Sequence, residues 1–184
     1  MSFILKILPF IALLLFGCNQ QKDFIQVESP NEEINVQIRK QKNNFIYNVN
    51  FKGKRIILNS KIGLIFKNGF EFPSHHNLKK VEKGFHKDTW ELPWGEKKIV
   101  KDTYNEIIIS FINTNNLEAG RMLFRAYDDG IAFRYQMNDN NKNQDSLIII
   151  NEITEFNLSE DAQTWWTPAY KENRYEYPYQ KSKV

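Results

Sequence analysis

A single cysteine, Cys18, stands in 184 residues, so no intrachain disulfide can form and stability must come from packing alone, even in an oxidising compartment. Long apolar runs are missing too. The run from Ile7 to Phe16 falls short of the roughly 20 residues that cross a bilayer core. No Gly-x-Ser-x-Gly elbow, phosphate-cradling glycine loop or Cys-His pair is present, which leaves nucleophilic catalysis by Ser or Cys without support. Basic and acidic residues nearly balance, 25 against 22 for a net charge of +3, and the cations are scattered. Without a basic stripe, no nucleic-acid partner is expected. No stretch keeps a helical period beyond about ten residues, and that absence points to an all-β chain.

What is present begins with an address. Lys6 in a short polar start, the apolar run and then Leu15-Phe16-Gly17-Cys18 read as a signal peptide, and the last four residues resemble a bacterial lipobox. That resemblance implies cleavage before Cys18, acylation of its thiol, attachment to a membrane and a place in the bacterial cell envelope as a periplasmic or outer-membrane lipoprotein. The expected organisation is a leader over 1–17, a short tether over 18–23 and one β-domain over 24–184. With 41% hydrophobic and 14% aromatic residues, that domain can fill a core.

From Phe24 onward the dominant period is two. Ile34, Val36 and Ile38 alternate with polar residues, Gln41 to Asn44 is a turn cluster, and Phe45, Tyr47, Val49 and Phe51 alternate again, which is a hairpin. Gly53 breaks it, short strands are predicted over 55–58 and 62–66, and Asn68-Gly69 marks a turn. The stretch 70–84 reads as a loop with a strand near its end; further strands are predicted over 97–101, 104–112 and 147–153. The organising segment is 121–137, where two strand-forming arms flank Asp128-Asp129-Gly130 and Gly130 is expected to supply the positive φ of the turn. Met122, Phe124 and Ala126 share a face, as do Ile131, Phe133, Tyr135 and Met137, with Arg125 and Arg134 on the opposite set. Such a hairpin needs a second layer, and a two-sheet sandwich supplies it.

Candidate chemistry is sparse. His75, His76 and His86 lack a companion cysteine or a helical spacing and read as ordinary solvated histidines. The run from Asp139 fails as a calcium loop, because Gln144 stands where glycine is required and Ile150 where a bidentate Glu is required. Asn157-Leu158-Ser159 is a weak glycosylation match. Trp90, Glu91, Trp94, Glu96 and Glu106 bring two indoles near three carboxylates, expected in loops; aromatic faces and acceptors together suit a sugar, although indoles also plug sandwich ends. Between Trp165 and Tyr179 lie six aromatics, Trp165, Trp166, Tyr170, Tyr175, Tyr177 and Tyr179, an apolar tail that reads as an interface.

Trp94-Gly95-Glu96, Tyr104-Asn105-Glu106, the hairpin 124–135, Glu152-Ile153-Thr154-Glu155-Phe156, Thr164-Trp165-Trp166 and Tyr175-Glu176-Tyr177 occur in this order, and over about 24–180 the chain resembles the N-terminal domain of glycoside hydrolase family 97. The resemblance implies a super-β-sandwich of the galactose-mutarotase type, packed on a catalytic (β/α) barrel in a calcium-dependent exo-α-glucosidase or α-galactosidase. It implies Glu176 as one calcium ligand, Trp94, Glu96, Trp165 and Trp166 near an α-linked oligosaccharide, and remaining calcium ligands from the barrel. A barrel takes about 250 residues, and this sequence stops at Val184, so the expectation is a chain without the family's general acid and base and without hydrolysis of its own. The alternatives are a free-standing carbohydrate-binding lipoprotein, a mutarotase-like epimerase, which wants a converging His and Glu, and an unstable fragment.

Overall fold

In a computed structural model of the chain, the described residues are 24–138, 146–159, 162–168 and 177–184, and all regular structure among them is β. Cys18, Glu176, Tyr170, Tyr175 and the 139–145 run therefore lie outside the described residues. The first sheet is antiparallel, β1 (Ile25–Glu28), β2 (Ile34–Gln41), β3 (Asn44–Phe51) and β4 (Lys54–Ile62) in that spatial order. After β5 (Leu64–Phe66) and β6 (Glu71–Phe72), the second sheet is made by β7 (Asn77–Glu91), β8 (Ile99–Ile112), β9 (Glu118–Tyr127) and β10 (Ile131–Met137), again each beside its chain neighbour. β11 (Ile149–Glu152) pairs with β5, and β12 (Gln163–Trp166) pairs with β13 (Gln180–Lys183).

The alternation seen in the sequence becomes the core. Val36, Ile38, Tyr47, Val49 and Ile62 from the first sheet meet Ile107, Ile109, Phe111, Met122 and Phe124 from the second. Phe45 meets Phe111 edge-on at 5.0 Å, and Tyr47 lies 6.4 Å from Phe124, so the two sheets interlock through aromatic rings. Each ring of this size removes enough apolar area from water to contribute about 2–3 kcal/mol. This is a β-sandwich, as the periodicity predicted. The organising hairpin also forms with the expected faces: Phe124 pairs with Phe133, and Arg125 sits opposite Ala132 on the outer surface.

Three local expectations need correction. The 70–84 stretch is strand for much of its length, because β6 covers 71–72 and β7 starts at Asn77; its charged residues hid the alternation. The strands predicted over 97–101 and 104–112 are one strand, β8, which holds Tyr104 and Glu106, and Trp90 and Glu91 stand on β7 and not in a loop. Gly130 lies outside the left-handed region, since the Asp128 to Gly130 loop closes with Tyr127 N–H donating to the Gly130 carbonyl at 2.8 Å. Positive φ is found in other hairpin turns, among them β3–β4, where Lys52 at +49° and Gly53 at +77° bridge the Phe51–Lys54 pair in the manner of a type I′ turn.

The strand after β4 also matters. The chain from β11 onward runs antiparallel beside β5 and β4, with Ile153 N–H donating to the Gly63 carbonyl, Glu155 N–H to the Lys61 carbonyl and Leu58 N–H to the Asn157 carbonyl, each at 2.7–2.9 Å. Tyr47 fastens this border strand to the core by donating its hydroxyl to the Glu155 carbonyl at 2.8 Å.

Candidate functional site

β7 and β8 are long enough to leave their sheet. β9 pairs with β8 only from Tyr104 to Ile112, so the facing stretches 87–91 and 99–103 form a two-stranded arm. At its end Leu92 N–H donates to the Lys98 carbonyl, and the closing loop carries Trp94 and Glu96. Trp94 is 84% exposed, and Trp90, Leu92 and Ile99 are exposed beside it. These indoles do not plug the sandwich; they are held out from it. A two-stranded ribbon with an apolar tip is marginal in water by itself, which is the signature of a contact surface.

At the root of the arm the outer face of the second sheet holds a cluster that the sequence did not single out as a unit. Register puts His86, Tyr104 and Tyr127 in one row and Gly84, Glu106 and Arg125 in the next. The His86 ring stacks on Tyr104 with centroids 4.8 Å apart, Arg125 lies 4.2 Å above the Tyr104 ring, and Tyr127 leans on it at 5.0 Å. Tyr104 is thereby buried on a solvent-side face, and this burial pushes its phenol pKa up against the opposing pull of Arg125. Arg125 Nε donates to Glu106 at 2.7 Å, and that bond raises the guanidinium pKa. His86 Nε2 sits 3.4 Å from Asp102. The signal for this cluster was the alternation itself, which put Arg125 opposite the core face of its strand.

The three histidines go to three environments. His76 is buried against Phe70 and Phe72 and donates from Nδ1 to the Ser74 carbonyl at 2.7 Å; His75 faces Glu71; His86 joins the Tyr104 stack. Among the described residues no group of three or more His, Cys, Asp or Glu side chains could hold a metal ion. Glu176, the expected calcium ligand, lies outside the described residues.

Carboxylates that could act as a general acid need a raised pKa. Among the described residues, every carboxylate with a displaced pKa is displaced downward. Hydrogen bonds from Lys79, Asn138 and Arg121 hold Glu118 at about 2; the Lys61 backbone N–H and ammonium lower Glu155; Lys80 lowers Glu82. A hollow of about 210 Å³ lined by Glu28, Lys83, Asn105 and Glu106 is smaller than the roughly 300–1,000 Å³ of small-molecule sites.

The tail ends in a separate ladder. Trp165 pairs with Lys181 and Trp166 with Gln180, Trp166 Nε1 donates to the Ser182 hydroxyl at 3.2 Å, and Lys181 Nζ lies 4.9 Å from the Trp165 ring. Both indoles remain largely exposed, as does Tyr179. Trp165 and Trp166 stand on the β12–β13 pair, and Trp94 and Glu96 in the loop between β7 and β8.

Comparison with known proteins decides the lineage. Residues 27–184 match the family model described as Glycosyl-hydrolase 97 N-terminal. The chain belongs to that family. A glutamate-to-glutamine variant of a glycoside hydrolase family 97 enzyme from Pseudoalteromonas sp. strain K8, solved in complex with panose, superposes with a TM-score of 0.77 at 31% identity, over 86% of this chain and 24% of that one. The enzyme from the same strain in complex with acarbose gives the same values. A β-arabinopyranosidase shares the fold at a TM-score of 0.68 and 20% identity, over 77% of this chain and 22% of that one. The family 97 N-terminal sandwich thus spans about a quarter of the length of the enzymes it matches.

Proposed function

We propose that this sandwich is the non-catalytic N-terminal domain of a calcium-dependent exo-α-glycosidase, an α-glucosidase or α-galactosidase, packing on a catalytic (β/α) barrel and shaping its substrate pocket. The observation that carries the reading is the family match over 27–184 together with a match to only 24% of a complete family enzyme. Two exposed aromatic surfaces support it. The ladder with Trp165, Trp166 and Tyr179 suits the domain interface, and the arm with Trp94 and Glu96 suits the approach to an α-linked oligosaccharide, the class of ligand represented by panose in the Pseudoalteromonas enzyme.

Calcium enters the proposal through resemblance alone. Glu176 supplies one carboxylate, and the other ligands come from the barrel. The chain itself needs no calcium to fold in this reading. Cys18 is the acylated residue of an envelope lipoprotein; replacement Cys18→Ser is expected to abolish incorporation of a fatty-acid probe and release the protein from membranes.

The test is a domain graft in which this sandwich replaces the matched quarter of the Pseudoalteromonas enzyme. The graft is expected to fold and hydrolyse an aryl α-glycoside, and Trp165→Ala with Trp166→Ala in the graft is expected to reduce turnover at least tenfold, the scale of losing positioning at an active site. A graft that folds but shows no activity in any form overturns the reading. The exposure of Trp94 favours a second reading, a domain that binds sugar unaided. Quenching of tryptophan fluorescence by maltooligosaccharides, lost in Trp94→Ala, would establish it.

A further inference from the structure

Asparagine precedes glycine once in this chain, at Asn68-Gly69. In that dipeptide an asparagine loses its side-chain amide most readily, because a following residue without a Cβ lets its backbone nitrogen approach the Asn Cγ. The pair lies in the loop between β5 and β6, and Lys67, Asn68 and Gly69 are all exposed to water.

The loop restrains both reacting atoms. Gly69 takes a φ of +80° and donates its N–H to the Phe66 carbonyl at 2.9 Å, while Phe66 N–H donates to the Phe70 carbonyl at 2.8 Å, so a left-handed glycine closes a three-residue hairpin loop. Asn68 Oδ1 accepts from Phe70 N–H at 3.1 Å, an Asx turn that fixes the side-chain amide. Lys67 N–H donates to the Ile148 carbonyl at 2.9 Å, and the Phe70 ring packs on the core, 5.4 Å from Phe66 and 5.0 Å from His76. The proton of the nucleophile and the oxygen of the electrophile are thus both committed to hydrogen bonds.

Independent of the glycosidase reading and beyond it, we propose that Asn68 is a site of spontaneous deamidation and isoaspartate formation whose rate is set by opening of this loop. In the open loop the Gly69 nitrogen attacks Asn68 Cγ. The N–Cγ bond forms, the Cγ–Nδ2 bond breaks, and the side-chain nitrogen leaves as ammonia with the proton that Gly69 gave up. Water then opens the succinimide. Cleavage of the ring at Cγ gives aspartate on an unchanged backbone; cleavage at the Asn68 backbone carbonyl gives isoaspartate, whose main chain runs through Cγ and is longer by one methylene. Aspartate keeps an acceptor for Phe70 N–H, so its loop closes again. Isoaspartate no longer fits the three-residue loop, and the packing of Phe70 loosens.

The experiment follows the full chain at mildly alkaline pH, folded and in guanidinium chloride that unfolds it. Peptide mapping reads the amide-to-acid mass change and the isoaspartate at residue 68, and hydrogen exchange of the Gly69 amide is measured alongside. Asn68 is expected to convert in denaturant and at least about tenfold more slowly in the folded chain, by the factor that protects the Gly69 amide. Phe70→Ala is expected to speed conversion severalfold in the folded chain and to leave it unchanged in denaturant; Phe70→Leu takes its place should Phe70→Ala fail to fold. No conversion at Asn68 in denaturant overturns the site. A folded rate equal to the denatured one, or a folded Phe70 variant that converts at the wild-type rate, overturns its control by the loop.

Discussion

Arg125 donates from Nε to the Glu106 carboxylate at 2.7 Å across the β8–β9 ladder while its guanidinium carbon lies 4.2 Å from the centre of the Tyr104 ring. One side chain therefore closes an ion pair and covers an aromatic ring at the root of the arm. Arg125→Ala is expected to lower unfolding free energy by about 1–2 kcal/mol, a figure reduced for the partial exposure of the pair. Arg125→Lys keeps the charge but loses the planar stack, so its urea midpoint should stay below that of the wild type. Equal midpoints for Lys and wild type would show that only the charge matters.

Acid sensitivity follows from Glu118 and Glu155. Both are held below the ordinary carboxylate value of 4.5, Glu118 at about 2. The folded protein thus binds these protons more weakly than the unfolded chain, so the stabilisation is full above the unfolded value and is lost as pH falls from about 4.5 toward 2. Glu118→Gln should flatten that part of the stability profile, measured by denaturant midpoint against pH.

At the alkaline end the sign reverses. Burial pushes the Tyr47 and Tyr135 phenols from 10.0 to about 12. Stability is full below the unfolded value of 10.0 and falls as pH rises toward 12, because the unfolded chain gives up the proton first. Tyr135→Phe and Tyr47→Phe should each remove part of this fall, and each should also lose about 1 kcal/mol at neutral pH with its hydroxyl's hydrogen bond, to Thr154 and to the Glu155 carbonyl respectively.

The layered fold was legible because the arms of the 34–51 and 122–137 hairpins alternate, and Val36, Ile38, Tyr47, Val49, Met122 and Phe124 are buried as read; β3 is buried on both faces, Ile46 and Asn48 included. β7 was not legible. Its run from Asn77 to Glu91 is mostly exposed, with Lys, Glu and Asp on both faces, and backbone pairing to β8 alone makes it a strand. Trp94 and Glu96 were legible as loop residues; that two strands carry this loop past the end of β9 was not, because no local pattern encodes how far a strand pair outruns its sheet. Tyr104 and Arg125 meet through the register of two adjacent strands, and register belongs to the pairing rather than to any one segment.

Two glycines separate turn chemistry from appearance. Gly53→Ala should cost about 1–2 kcal/mol, since +77° is strained for any residue with a Cβ. Gly130→Ala should be neutral or stabilise by up to about 1 kcal/mol, because its φ is not left-handed and a Cβ there meets no atom within 4 Å. Thermal unfolding of the two variants distinguishes these outcomes directly.

The central claim is that this sandwich serves a glycosidase without being one. Its most direct test is incubation of the purified chain, with calcium, with aryl α-glucoside and aryl α-galactoside. The account predicts release of the aryl alcohol no faster than in buffer, because in the proposed reading the two carboxylates that flank the scissile bond belong to the catalytic barrel. Turnover that persists through purification and disappears on replacing Glu91, Glu96 or Glu106 by Gln would contradict it.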